Sequence, residues 1–282
     1  MKDISLEILE KSDNVLKIRF KNVPLAIVNA IRRVILEEVP TMAVDYVIFR
    51  NNTSVLHDEI IAHRIGLIPL TSDEAVEKYL PPEECSDEKS LNKPGCFATL
   101  VLEAETGDDE IKTVYSGDLK PVDDPTVKPI SDKIPIVVLG PNQRLVLEAK
   151  ARLGRGKEHI KWSPVTIAVS TYVAKIVIDN KRCTACGSCA SYCPTGALSI
   201  KGGKLVVDES KCNLCRQCVR VCDYDAIDLS WYQDMYDLKI ESTGALSVKK
   251  IITLAVKELI RKLDDFLQSL SQVEESGTSA GG

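Results

Sequence analysis

The fold of this chain is decided by residues 22–40, which read NVPLAIVNAIRRVILEEVP. The pattern predicts a helix that Asn22 caps and that prolines open and end. At 3.6 residues per turn most apolar residues fall on one side, and Leu25 and Leu36 interrupt the polar side. A helix with so broad an apolar surface must be buried from two directions, by its own sheet and by a second helix.

The second helix is predicted near the end of the chain, over residues 247–270. Apolar residues recur there at steps of three and four: Ile252, Val256, Leu259, Leu263, Phe266 and Leu270. This spacing makes a continuous seam over about three heptads. Two interpretations of both helices stay open at this point, namely ordinary core of this chain or an interface with another subunit.

Length and charge restrict the class of protein. At 282 residues the chain is long enough for two or three domains, each with its own core. Its net charge is -5 and its pI is about 5.4, which argues against a nucleic-acid-binding protein that acts alone. No apolar run approaches the ~20 residues of a membrane span, and the N-terminus does not resemble a signal peptide. We therefore expect a cytoplasmic protein with protein partners, without direct contact to nucleic acid or membrane.

The middle of the chain, residues 41–172, has the pattern of a strand-rich domain. Alternating segments predict strands at residues 97–104, 112–115, 136–139 and 144–151, and a further strand over 165–178. Cys85 and Cys96 are either free thiols or a disulfide, and the sequence leaves that choice open. A glycine loop at residues 153–165 lacks the GxxxxGK[ST] spacing of a phosphate-binding loop, so we interpret it as structural.

Cysteines in residues 181–227 form two copies of the C-x2-C-x2-C-x3-C run of bacterial-type ferredoxins. In such a run three cysteines at two-residue gaps bind one cubane cluster, while the fourth reaches the cluster of the other half. We therefore predict two [4Fe-4S] clusters. The expected ligands of the first are Cys183, Cys186, Cys189 and Cys222, and those of the second are Cys193, Cys212, Cys215 and Cys218.

Zinc is the main alternative for these cysteines. Two four-cysteine zinc sites would usually show two separated C-x2-C pairs per metal, so iron-sulfur clusters are the favoured interpretation. A proline follows Cys193 but Asp223 follows Cys222, which predicts that the cluster bound by Cys222 is more exposed or more labile. One cluster instead of two remains an alternative. A metal centre that joins Cys183 to Cys222 closes a loop of about forty residues, worth on the order of 4 kcal/mol.

Three stretches resemble one protein family: NAIRRVILEEVPTMAVD from residue 29, NNTSVLHDEIIAHRIGLIPL from residue 51, and GKEHIKWSPV from residue 156. Together they resemble the archaeal D subunit of DNA-directed RNA polymerase. That family includes the corresponding eukaryotic subunits and, more distantly, the N-terminal domain of the bacterial alpha subunit. The likeness spans nearly the whole chain. Several archaeal members carry a ferredoxin-like insertion where this chain has residues 180–231.

The resemblance implies an α+β fold: an alpha-subunit-like dimerisation domain with an inserted strand-rich domain and an inserted two-cluster ferredoxin-like domain. The dimerisation domain would comprise residues 1–40, 173–179 and 232–270. The insert domain would comprise residues 41–172, and the ferredoxin-like domain residues 180–231. Residues 271–282 are small, polar and rich in glycine, so we expect a disordered tail.

The resemblance also implies a scaffold rather than a catalyst. Family members pair with the smaller L subunit through long helices, and this heterodimer, joined by the small N and P subunits, is the platform for two large catalytic subunits. Nucleotidyltransferase chemistry belongs to the large subunits, and this sequence has no close Asp triad that would bind magnesium. We expect no catalytic residue here. The expected partner contacts are Ile31, Arg32, Arg33, Ile35, Ile252, Val256, Leu259, Leu263 and Phe266.

Two other functions are compatible with parts of the sequence. The cysteine runs alone would suit a ferredoxin-type electron-transfer subunit of a redox complex, although no flavin or dinucleotide fingerprint accompanies them. Cluster integrity would alternatively report oxygen or iron status to polymerase assembly. The three family motifs favour the scaffold, with clusters that give structural support.

Overall fold

The computed structural model describes residues 3–85 and 93–278, and the side chains of these residues up to Gln272. We number its strands and helices in chain order. The strands are β1 (Ser5–Lys11), β2 (Val15–Lys21), β3 (Thr41–Asn52), β4 (Phe97–Glu105), β5 (Lys112–Tyr115), β6 (Lys120–Pro121), β7 (Pro135–Leu139), β8 (Arg144–Gly154), β9 (Val165–Ile178), β10 (Leu198–Lys201), β11 (Lys204–Val207) and β12 (Ile227–Ser242). The helices are α1 (Leu25–Glu37), α2 (Asp58–Gly66), α3 (Ala75–Lys78), α4 (Ser188–Ser191), α5 (Gln217–Arg220) and α6 (Val248–Thr278).

The chain forms two compact units. The first, here the cysteine unit, contains Met1–Glu10, Lys17–Asn29 and Val169–Lys239. The second, here the large unit, contains Lys11–Leu16, Ala30–Ala168 and Ile240–Gly282. Each unit draws on several separate segments, and the predicted division into dimerisation, insert and ferredoxin-like domains stays a prediction.

Four strands form a sheet in the order β1-β2-β12-β9. In the cysteine unit, Arg19 of β2 donates from Nε and Nη2 to the two carboxylate oxygens of Asp237 on β12, at 2.8 and 3.0 Å. The edge strand β1 was not predicted. Nearly all its side chains are exposed, including Leu6 and Ile8, which alternate with polar residues.

A second sheet of four strands, in the order β3-β8-β4-β6, forms the core of the large unit. Both β3 and β4 pair antiparallel with β8, where Ala149 lies opposite Val47 on one side and Leu100 on the other. Alternation along β4 and β8 was the basis of their prediction, and it arises because one sheet face is buried. This sheet and α2 contribute many of the largest fully buried side chains, among them Ile61, Ile65, Leu100, Leu102, Leu145 and Leu147.

Cys85 and Cys96 form a disulfide, which resolves the choice that the sequence left open. The Cα atoms lie 5.4 Å apart, and both residues are buried, with 1% and 0% of their surface exposed. The loop that this bond closes contains residues 86–92, which lie outside the described residues.

Helix α1 is shorter than predicted, and its cap differs. Asn22 adopts a left-handed backbone with φ of 60°, and its side-chain amide donates to the carbonyl of Asp3 at 2.7 Å. The first helical hydrogen bond runs instead from the Ile27 N–H to the carbonyl of Pro24, at 3.0 Å. Asn22 is therefore not the cap, because a neighbouring backbone group satisfies its side chain.

The glycine loop after β8 allows backbone to approach closely. A Cβ atom on Gly156 would lie 2.0 Å from the carbonyl oxygen of Leu36, at the end of α1. A Cβ on Gly154 would lie 2.3 Å from the ring of Trp162. Both positions therefore require glycine, which agrees with the structural interpretation of this loop.

Helix α6 is anchored at its start and is longer than predicted. The Ser247 N–H and hydroxyl both donate to Asp73 Oδ1, at 3.2 and 3.1 Å. The helix runs to Thr278, so residues 271–278 are helical here where the sequence predicted disorder. Gln272, Glu274 and Glu275 are good helix formers. Residues 279–282 lie outside the described residues, and no described helix is long and apolar enough to cross a membrane.

Candidate iron-sulfur centre and partner surface

The two cysteine runs fold as two copies of the same turn. In the first run Ala185 and Gly187 have left-handed backbones, with φ of 55° and 85°. In the second run Leu214 and Arg216 occupy the equivalent positions, both with φ of 61°. The one-turn helices α4 and α5 follow, and they carry the buried Cys189 and Cys218. The left-handed residues turn the chain so that cysteines three apart along the sequence face a common centre.

Cysteines from both runs line one cavity in the cysteine unit. Cys183, Cys186 and Cys189 of the first run lie around it, together with Cys222 of the second run. Its other walls include the apolar side chains of Ile200, Leu205, Val221 and Ile227. This is the set of four that the ferredoxin spacing predicts for one cluster.

The remaining four cysteines also lie close to one another. Burial is the main cause that raises the pKa of the Cys218 thiol, and charge on Cys212, Cys215 and Cys193 raises it further. Burial likewise raises the pKa of Cys212, with contributions from Cys215 and Cys193. A negative charge on one of these thiols disfavours ionisation of the others, and a bound metal would offset this repulsion.

Backbone amides reach the fourth cysteine of each run. The Ala197 N–H donates to Cys193 Sγ at 3.3 Å, and the Ala226 N–H donates to Cys222 Sγ at 3.4 Å. Burial opposes the thiolate of Cys193, but hydrogen bonds from Thr195 and from backbone amides outweigh it and lower its pKa. Such N–H donors stabilise a thiolate ligand and influence the potential of a bound cluster.

The spacing of the cysteines along the chain favours a cluster over a single ion. Among residues 3–85 and 93–278, no three or more His, Cys, Asp or Glu side chains are placed to share one metal ion. A zinc ion requires all its thiolates about 2.3 Å from one point. A cubane binds each thiolate through a different iron, so its ligands stand farther apart. Four cysteines around an apolar cavity therefore suit the larger group.

A second candidate site is the outer surface of α6. Its exposed apolar side chains, with 45–60% of their surface accessible, are Ile260, Leu263, Phe266, Leu267 and Leu270. We refer to these five residues as the α6 stripe. An uncovered stripe of this kind marks a contact with another chain more often than a solvated surface.

The predicted partner contacts divide between exposed and buried positions. Leu263 and Phe266 belong to the α6 stripe, and Val256 has 38% of its surface exposed. Ile31, Arg32, Ile252 and Leu259 are half-buried, and Arg33 is exposed beside Glu37. The prediction for Ile35 is wrong. Its side chain is fully buried inside this chain, because it lies on the face of α1 that the chain itself covers.

A cluster of charged residues in the large unit joins the end of α1 to α6. Glu38, with 8% of its surface exposed, accepts from Lys262 at 2.6 Å and from Lys157 at 3.1 Å. Arg155 lies 3.0 Å from Glu83 and 3.2 Å from Glu258 of α6. Sequence reasoning missed this cluster, since its members are far apart in the chain and follow no periodicity.

Burial and the two lysine partners have opposite effects on the pKa of the Glu38 carboxyl group. Burial disfavours the charged form, but the hydrogen bonds from Lys262 and Lys157 outweigh this effect and hold the pKa of Glu38 below its usual value. Glu38 is therefore ionised at neutral pH and holds both lysines.

Two family models match the chain. Residues 47–180 match the RNA polymerase Rpb3/RpoA insert domain, and residues 182–226 match a 4Fe-4S dicluster domain. The second match contains both cysteine runs. The fold and the cysteine site together define an iron-sulfur-bearing, alpha-type subunit of a multisubunit RNA polymerase.

Relatives extend this likeness to the full chain. "DNA-directed RNA polymerase subunit Rpo3" of Aeropyrum pernix is 40% identical over 97% of this chain and 98% of its own length. The Rpo3 subunits of Methanosarcina acetivorans and Pyrococcus furiosus are each 38% identical, over 96% and 97% of this chain and 99% of their own lengths. The chain belongs to the Rpo3 family of archaeal DNA-directed RNA polymerase subunits. Its partners in transcription are therefore other subunits of that polymerase.

Proposed function

We propose that this subunit is a non-catalytic scaffold that pairs with the smaller L subunit through α1 and α6. With the small N and P subunits, the pair provides the platform in the cytoplasm on which the large catalytic subunits assemble. The α6 stripe is the observation that carries this proposal, since it is apolar, continuous and uncovered.

Burial of the α6 stripe supplies the free energy of association. Each of its five side chains has about half of its surface exposed, so covering it contributes on the order of 1 kcal/mol. A facing helix with matching apolar residues would cover them all by the packing of a coiled-coil seam. The charged cluster around Glu38 supports the same proposal, because it holds α6 against the end of α1 before any partner binds.

The test is a binding measurement with substituted full-length chains. Phe266→Glu and Leu263→Glu each place a charge in the middle of the stripe, and we expect affinity for the L subunit to fall at least about a hundredfold. Ile160→Glu is the matched control, since Ile160 is an apolar residue of the large unit with 69% of its surface exposed. Isothermal titration calorimetry compares the three variants with the unchanged chain. Equal affinity of all four chains would exclude the α6 stripe as the interface.

We also propose that the cysteine unit binds two [4Fe-4S] clusters, and that each cluster takes three ligands from one cysteine run and the fourth from the other, as the spacing predicts. When bound, each cluster joins the two cysteine runs covalently and is able to accept or release one electron. The eight cysteines of the two runs would supply the thiolate ligands, and the apolar side chains of Ile200 and Leu205 would exclude water from the first cluster. Cys193 and Cys222 are both half-buried, and the greater exposure or lability of the cluster bound by Cys222 stays a prediction.

Iron and acid-labile sulfide measured on chain purified without oxygen test the number of clusters. Two clusters correspond to about eight irons and eight sulfides per chain, and one cluster to about four of each. A single zinc per run, or no metal in an anaerobic preparation, would contradict the proposal.

A further inference from the structure

An exposed aromatic crevice lies beside the second cysteine run, within the cysteine unit. Its walls are Tyr172, Leu214, Arg216, Leu229 and Trp231. Tyr172 and Trp231 have 42% and 41% of their surfaces exposed, although large aromatic rings are normally covered. Neither the cysteine ligands nor the α6 stripe explains their exposure.

The two exposed rings are held in place by their neighbours. The Tyr172 ring centroid lies 5.6 Å from that of Trp231 and 5.5 Å from that of Tyr236. Tyr236 is buried, and its hydroxyl donates to the carbonyl of Gln233 at 2.6 Å. Rigid aromatic side chains lose little conformational entropy on binding, which is why they are enriched at the centres of protein interfaces.

Arg216 at the edge of the crevice adopts a backbone that disfavours any side chain. Its φ is 61°, and the equivalent residue of the first run is Gly187, which adopts the same region without strain. An arginine there costs on the order of 1 kcal/mol. The described residues provide no hydrogen bond or ion pair for its exposed guanidinium group. A strained, unpaired cation beside exposed aromatic rings indicates a binding role for that side chain.

A larger polar cavity continues from the crevice and shares Tyr172 and Leu214 with it. Its charged residues are Lys17, Arg19, Glu209, Lys211 and Asp237. The two acids already have partners in this chain. Asp237 accepts from Arg19 and lies 3.5 Å from Lys17, and Glu209 accepts from the Ile176 N–H at 2.8 Å and from the Tyr232 hydroxyl at 3.3 Å.

Cations outnumber acids on this surface, so the charge that it offers to a second molecule is positive. Arg216 has no counter-charge among the described residues, and Lys211 has only Asp208 at 3.4 Å, in a pair that solvent reaches. An incoming carboxylate would meet Arg216 at the edge and Lys17 or Lys211 farther in. Apolar walls with cations around them suit an apolar anchor flanked by acids.

We propose that the crevice lined by Tyr172, Trp231 and Arg216 docks an acidic segment of another protein chain, with one large apolar or aromatic side chain packed against the exposed faces of the rings. This contact is additional to pairing through α6 and does not depend on it. It gives the cysteine unit a direct role in recognition, because Leu214 and Arg216 belong to the loop between the ligands Cys212 and Cys218.

Photo-crosslinking in the native complex tests the proposal. Trp231 is replaced by p-benzoylphenylalanine, which keeps an aromatic group in the crevice, and the polymerase is isolated, irradiated and analysed by peptide mass spectrometry. Tyr115, in the large unit, has the same 41% exposure and is the matched control position. We expect a cross-link from position 231 to a peptide of another chain that carries several Asp or Glu residues.

Charge variants decide whether the contact is the proposed one. Added to the cross-linking chain, Arg216→Glu should lower the yield at least about tenfold, whereas Arg216→Lys should retain most of it. Iron content and visible absorption must match the parent chain, so that a lost cross-link is not a lost cluster. The proposal fails if position 231 cross-links no more than position 115, if Arg216→Glu has no effect, or if the cross-linked partner is nucleic acid. The binding assay with the L subunit is unaffected by any of these outcomes and so tests the scaffold separately.

Discussion

The carboxylate of Glu38 and the ammonium group of Lys262 lie 2.6 Å apart, joining the residue after α1 to the middle of α6. Lys157, from the glycine loop, contacts the other carboxylate oxygen at 3.1 Å. One buried acid thus links the two helices and the loop between β8 and β9. Because the α6 stripe lies on the same helix as Lys262, this link helps to set the direction in which the stripe faces a partner.

Removal of the acid should destabilise the large unit more than removal of either base. Glu38→Ala leaves Lys157 and Lys262 without their shared partner, and we expect a loss of about 1–2 kcal/mol in the free energy of unfolding. Lys262→Ala should cost about 1 kcal/mol or less, since that lysine is 41% exposed. Denaturant unfolding measures both. Lys249→Ala, on the exposed side of α6, is the control and should stay within about 0.5 kcal/mol of the parent.

Stability in acid should depend on Asp45. Its carboxylate accepts from Arg152 and Lys161, each at 2.7 Å. Burial opposes the charged form, but these two partners lower the pKa of Asp45 below its usual value. The folded state therefore binds the proton more weakly than the unfolded state. The stabilisation is complete above the unfolded pKa of about 4 and is lost as pH falls below it.

Asp45→Asn should therefore flatten the acid limb of a plot of unfolding free energy against pH. The comparison runs from about pH 6 to pH 2 with the parent chain under the same conditions, because the clusters themselves are acid-labile. Asp109→Asn, on an exposed loop, is the control. Curves of identical shape for Asp45→Asn and the parent would show that this ion pair does not contribute.

Gly156 should be intolerant of any side chain. Its added Cβ would lie 2.0 Å from the Leu36 carbonyl oxygen, and this neighbour is backbone that does not move alone. We expect Gly156→Ala to cost at least about 2 kcal/mol and to loosen the contact between the loop and α1. At Gly107 a Cβ meets nothing within 4 Å, so Gly107→Ala should be nearly neutral. Equal melting temperatures of the two variants would contradict the close approach.

The disulfide should stabilise the large unit. Cys85 and Cys96 are 11 residues apart, for which loop-closure entropy corresponds to about 3 kcal/mol. Cys85→Ala with Cys96→Ala should therefore melt well below the parent, and the parent unfolded under reducing conditions should approach the variant. Iron content should not change, because neither cysteine belongs to the two runs. A double variant as stable as the oxidised parent would show that the bond is dispensable.

Cross-ligation makes a specific prediction for iron content. Cys183→Ser and Cys222→Ser lie in different runs but should remove the same cluster, so each variant and their combination should lose about four irons. Cys183→Ser combined with Cys212→Ser should lose about eight irons. If the combination of Cys183→Ser and Cys222→Ser instead lost twice the iron of either one, each run would bind its own cluster.

Local patterns predicted those parts of the fold that obey a periodicity. The alternation in β8 and β9 and the three- and four-residue steps in α6 depend on one buried face, and a single sequence shows them. The edge strand β1 is an exception, since it was missed although Ile4, Leu6 and Ile8 alternate with polar residues. The Glu38 cluster and the pairing of Cys85 with Cys96 depend on distant segments that meet only in the folded chain.

In the candidate site, too, local sequence patterns were predictive, whereas contacts between distant segments were not. The spacing of the cysteine runs was enough to group Cys222 with Cys183, because ferredoxin geometry is local and repeated. Periodicity assigned Ile35 to a partner surface, but it cannot tell which apolar residues the chain itself covers. The exposed crevice at Tyr172 and Trp231 was missed because β9 and β12 are adjacent in the sheet but lie far apart in sequence.

The most direct test of the scaffold function is purification of the tagged chain from its own cells under native conditions, with quantitative mass spectrometry of the proteins that accompany it. We expect the large catalytic polymerase subunits and a small helical partner in equal amounts with this chain. The Phe266→Glu chain, isolated in parallel, should lose the small partner and with it the large subunits. Recovery of dehydrogenase or reductase subunits in place of polymerase subunits would contradict the scaffold and make the cysteine unit an electron carrier.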